Sequence, residues 1–148
     1  MGALMKFISL FAVAITLSLV CVGQSRAMTE YEAALQVTGY ADSIPMMSSY
    51  CHKKFRMPDV ERAGVEWTER HEEVLKEART IIHGSGGIPS AQENLLSGIL
   101  KDQITSTIDN DSDPKGFCKR LGDRLDSGGM DLDQSSDFLP ALKALAQQ

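Results

Sequence analysis

Only two cysteines, Cys51 and Cys118, follow the first 27 residues, so the chain from there on can close one intramolecular bridge and no other. What precedes them makes the bridge expected. Residues 7–22 form an almost unbroken apolar run behind Lys6, and Gly23, Gln24, Ser25, Arg26 and Ala27 then restore polarity. Sixteen residues fall short of the ~20 that a membrane span needs, and the run ends in small residues, the pattern of a cleaved secretory signal. Cleavage after Ala27, with Ser25 at the −3 position, leaves 121 of the 148 residues as residues 28–148. Lipidation at Cys21 is the rival reading, and Ser18, Leu19 and Val20 fit it badly because small residues are wanted just before that cysteine. The expected location is therefore the periplasm or the exterior, an oxidising compartment in which thiols pair.

The remaining chain suits one domain. No acidic residue lies in positions 1–27, so losing Lys6 and Arg26 takes the formal charge from −5 to −7. A strongly acidic protein lacks the basic surface that neutralises phosphate, which argues against nucleic acid and anionic membranes as partners.

Helical periodicity runs throughout, and no stretch shows sustained period-two alternation. Thr29 and Glu32 form a capping box, followed by the stripe Ala34, Val37, Ala41 and Ile44. Pro45 is expected to kink or interrupt this first helix, because it lacks an N–H and clashes with the preceding turn. The stripe resumes through Met47, Cys51 and Phe55. Pro58 opens a second helix with Val60, Ala63, Trp67, Val74, Ala78 and Ile81 inward, stopped by the glycines around Gly86 and Gly87. Ser90 and Glu93 read as a second capping box, ahead of a helix burying Leu95, Leu96, Ile99, Leu100, Ile104 and Ile108. A fourth helix over 115–126 carries Phe117, Cys118, Leu121 and Leu125 on one face, and Asp133 or Ser135 caps a short last one. The expectation is an all-α bundle of four to five helices, with Cys51 bridged to Cys118.

Metal and catalytic constellations fail on spacing. The run from His71 to Leu75 has leucine where a metalloprotease helix needs its second histidine, and His71 and His83 lie about 120° apart on a straight helix. Asp109, Asp111 and Asp113 match the first ligands of a calcium loop, but Pro114 and Arg120 stand where glycine and glutamate are required. Met46, Met47, Cys51, His52 and Met57 are soft donors suited to copper, but Met47 and Cys51 lie on the core stripe and Cys51 is expected in the disulfide, so core packing accounts for the cluster better. No nucleophile elbow or phosphate loop occurs. No cofactor, metal site or catalytic residue is therefore expected. The function expected is non-catalytic protein binding, in an inhibitor, immunity or chaperone and accessory role. Its candidate contact residues are Gly86, Gly87, Asp109, Asp111, Asp113, Asp131 and Asp133, on loops held by rigid helices. The alternatives are a carrier of a small apolar ligand, lined by Tyr40, Met46, Met47 and Tyr50, and an enzyme of a type these motifs do not reveal.

Overall fold

The computed structural model describes residues 28–146, so the expected signal segment, Cys21 and the expected cleavage point after Ala27 lie outside the described residues. Within them the chain is all-α: α1 (Glu30–Phe55), α2 (Pro58–Arg70), α3 (Glu72–Gly84), α4 (Ser90–Asp109), α5 (Pro114–Asp126), a 3-10 turn (Leu132–Gln134) and α6 (Leu139–Leu145). No described helix is long and apolar enough to cross a membrane.

α1 is the axis of the molecule and touches all five other α-helices. Its start is the capping box read from the sequence: the Thr29 hydroxyl accepts the Glu32 amide at 3.2 Å, and the Glu32 carboxylate accepts the Thr29 amide at 2.9 Å. Ala33, Ala34, Val37, Ala41, Ile44, Met47 and Cys51 form its buried stripe. The interruption expected at Pro45 does not occur, for the helix is continuous through it. Contacts with all five other helices supply the cohesion that one missing backbone bond removes. α1 ends at Arg56, which takes a left-handed conformation (φ 57°) and returns its amide to the His52 carbonyl at 2.8 Å. Cys51 and Cys118 are bridged, with Cα atoms 5.6 Å apart and both residues wholly buried, joining α1 to α5.

The single second helix anticipated from the sequence is two. His71 lies between α2 and α3, and its own side chain explains the break. The imidazole Nδ1 lies 2.8 Å from the Trp67 carbonyl, the acceptor that the His71 amide would use in an unbroken helix. The amide turns instead to Thr68, at 3.3 Å. The buried residues beyond the break are Leu75, Ala78 and Ile82, so Val74 and Ile81 are only half-buried.

Two further capping expectations are corrected. α4 is capped by Pro89, whose carbonyl accepts the Gln92 and Glu93 amides, and Ser90 is already inside the helix with no capping bond. Asp133 lies in the 3-10 turn and Ser135 just after it. α6 starts at Leu139 with Phe138 as its cap. Asp113 does cap α5, accepting the Gly116 amide at 3.0 Å.

α1 and α2 cross closely at Ser48 and Gly64. A Cβ built on Gly64 would lie 2.2 Å from Ser48 Oγ and 2.8 Å from Ser48 Cβ. The hydroxyl could rotate away by giving up its bond to the Ile44 carbonyl, but the Cβ contact has no rotamer escape. Gly64→Ala gains about 1 kcal/mol in helix propensity and incurs an overpacking cost of about 1–3 kcal/mol. The expected result is a net loss of about 1 kcal/mol. In a Ser48→Gly background the clash is gone, and the same substitution should stabilise. Urea unfolding of the four-member mutant cycle checks this: a Gly64→Ala effect of one sign in both backgrounds would refute the close crossing.

Candidate functional site

The sequence places Leu95, Leu96 and Ile99 in the core, and the structure does not. They are 63%, 48% and 45% exposed, and only Ile104 and Ile108 of α4 are buried. The cause is where α4 leaves the bundle. Its packing partners are α1 and α5, reached through its C-terminal half. Every residue from Pro89 to Ile99 is exposed. Successive positions rotate by 100°, so Leu95, Ile99 and Leu96 fall within about a third of the circumference, and Ile104 lies on the other side. The Asp42 carboxyl of α1 is held above the usual carboxylate range, first by burial, an effect that its partner Arg79 opposes and the Glu93 charge of α4 slightly reinforces.

The candidate residues on loops have mostly intramolecular duties. Gly86 and Gly87, with φ of 100° and 70°, return their amides to the His83 and Ile82 carbonyls and end α3. Asp109 accepts the Tyr50 hydroxyl at 2.6 Å and pairs with the Lys54 ammonium. Lys54 and Tyr50 bonding to the Asp109 carboxylate lower its pKa below the usual range. Asp111 accepts the Asp113 amide at 2.8 Å, and Arg120 lies 3.6 Å from Asp111 and 3.8 Å from Asp113. Arg120, the residue that fails the calcium loop, thus neutralises its acids. Among the described residues no group of three or more His, Cys, Asp or Glu is placed to hold a metal ion. Asp133 remains exposed on the 3-10 turn, while Asp131 belongs to a denser arrangement.

That arrangement is a clamp on residues 129–132, which the sequence reading missed. The Met130 carbonyl accepts two donors, the Trp67 indole N–H at 3.0 Å and the Tyr40 hydroxyl at 3.2 Å. Arg124 donates to the Gly129 carbonyl at 2.9 Å, and Arg70 donates to both the Leu125 carbonyl and Asp131. His71 stacks on Trp67 with centroids 4.3 Å apart. Its Nδ1–H donates to the Trp67 carbonyl, which leaves Nε2 to accept the Leu132 amide at 3.3 Å. Burial pushes the Tyr40 hydroxyl up to about 12, Arg124 opposing and Asp131 assisting, so it stays a donor at neutral pH. The signal for this was legible: Trp67, His71, Leu75, Ala78 and Ile82 recur at helical spacing with a histidine at an inward position.

The proposed ligand-lining residues divide. Tyr40 and Met47 are packing elements, Tyr40 lying edge-on to Trp67 and against Phe138, and Met47 only 3% exposed. Met46 and Tyr50 line an open groove. Compared with family models, curated proteins and solved structures, the chain matches none.

Proposed function

We propose that this chain is an exported, non-catalytic helical protein that acts by binding another protein, as an inhibitor, immunity or chaperone and accessory factor, and that the outer face of α4 is the contact surface. One observation carries the reading: Leu95, Leu96 and Ile99 stand exposed together on a helical arm without core contacts. Isolated helices shorter than ~12–15 residues are marginal in water, so an arm of this length gains most from a partner that covers it. Ile99 stands four residues after Leu95 and three after Leu96, the i+4 and i+3 relations through which a helix fills a groove on another protein. The net charge of the chain from residue 28, −7, adds long-range steering toward a basic target.

The test compares the protein recovered from its own envelope or secreted fraction with the Leu95→Asp/Ile99→Asp variant. Exposed substitutions of this kind change stability by only about 0.5 kcal/mol, so the fold is retained. Native mass spectrometry should show wild type with a second chain attached and the variant bare. Equal retention of that chain by both proteins would remove α4 from the proposal, and an attached second copy would make the arm a dimer contact.

A further inference from the structure

A second surface, remote in chemistry from the α4 stripe, lies where α1, α2 and α4 diverge. The crossing of Ser48 and Gly64 brings α1 and α2 together, and α4 packs on the core through its C-terminal half, from Leu100 onward. Between them is a groove of about 620 Å³, inside the range of roughly 300–1,000 Å³ that ligand sites occupy. Its base is low because α1 presents small side chains there, Ser48 and Ser49, beside the bare ring of Pro45. Met46 from α1, Val65 from α2 and Ile104 from α4 make its walls apolar, and Val65 is 52% exposed there.

The charges at its edge decide what that is. Lys53 of α1 and Lys101 of α4 line the groove, and neither ammonium has a carboxylate at ion-pair distance among the described residues. The one acid in the lining, Glu61, faces His52 at 3.5 Å. An acidic protein therefore turns two uncommitted cations toward an apolar trough. We infer that this groove binds a small single-chain amphiphile with an anionic head, the tail against Met46, Val65 and Ile104 and the carboxylate or similar group between Lys53 and Lys101. The ammonium groups are exposed, so they orient the head and discriminate its sign, and the apolar walls supply most of the affinity.

Calorimetric titration with dodecanoate below its micellar concentration tests the assignment, with dodecyltrimethylammonium as the probe of equal tail and opposite head. Wild type should take up dodecanoate at one site and prefer it to the cation at least tenfold. Lys53→Glu/Lys101→Glu should weaken dodecanoate roughly tenfold, the worth of two exposed charge contacts reversed. Lys119→Glu/Lys143→Glu makes the same change in net charge elsewhere and should leave it unaltered. Amide shifts on binding should cluster at Ser49, Val65 and Thr105. Equal uptake of both probes, loss of binding in the Lys119 and Lys143 variant, or shifts confined to Leu95 and Ile99 would each overturn the inference.

Discussion

Replacing Cys51 and Cys118 together by alanine should cost the protein about 4 kcal/mol, the chain-entropy value for a crosslink of this length. The bridge spans 67 residues, more than half of the described chain, and joins the axial helix to α5. Its effect acts chiefly on the unfolded ensemble, which loses conformations when its ends are tied. Because both cysteines are wholly buried, each alanine also leaves a small void, which adds to the loss. Set against a total stability of roughly 5–15 kcal/mol for a small domain, this is a large share. Urea unfolding of the oxidised, reduced and double-alanine proteins measures it. A midpoint unchanged between oxidised and reduced protein would show that the crosslink constrains nothing that the core does not already fix.

Trp67→Ala should be the most damaging single substitution, at about 3–5 kcal/mol. Trp67 heads the fully buried side chains, stacks on His71, meets Tyr40 edge-on and holds the Met130 carbonyl. Its removal opens a void beneath the 129–132 clamp and frees the segment that carries Leu132 into the core. The polar part of this role separates from the packing part. Trp67→Phe and Tyr40→Phe each remove one of the two donors to Met130, a loss of about 1 kcal/mol because the other donor remains, and Trp67→Phe costs more than that because it also gives up buried ring volume. Together they strand the carbonyl, so the double substitution should exceed the sum of the two by about 1 kcal/mol. Strict additivity would mean that water or another group already serves that oxygen.

Local rules and apolar periodicity made much of the fold legible. The Thr29 capping box, the α1 stripe, Pro58 at the head of α2, the α5 face and the Cys51–Cys118 pairing all follow from residues that act on near neighbours or from a unique pairing of thiols. The failures share a different origin. A stripe of leucines shows that a helix has an apolar face, but not whether the rest of the chain is long enough to cover it. For that reason Leu95, Leu96 and Ile99 read as core residues in the sequence and stand exposed in the structure. His71 illustrates the converse. Nothing next to it in sequence announces a break, because the break depends on a side chain bonding its own helix and on Leu132, sixty-one residues away, meeting the ring. The acids of the polar loops read as free surface charge in the sequence, yet Asp109, Asp111, Asp113 and Asp131 are largely engaged by Lys54, Arg120 and Arg70.

The position of α1 has a consequence for how the molecule comes into being. Chains are made from the N-terminus, and here the helix made first among those described is the one that every later helix covers. When α2 and α3 have followed it, Cys51 still lacks its partner, and the face of α1 destined for α6 waits until α6, the last of the described helices, has been released. No shorter nascent segment can complete the native core, so from birth until Leu145 is free the chain exposes apolar surface on its oldest part. Holding factors that recognise unfinished proteins have their longest opportunity there, and a chain truncated before α6 is left with an open seam along its axis.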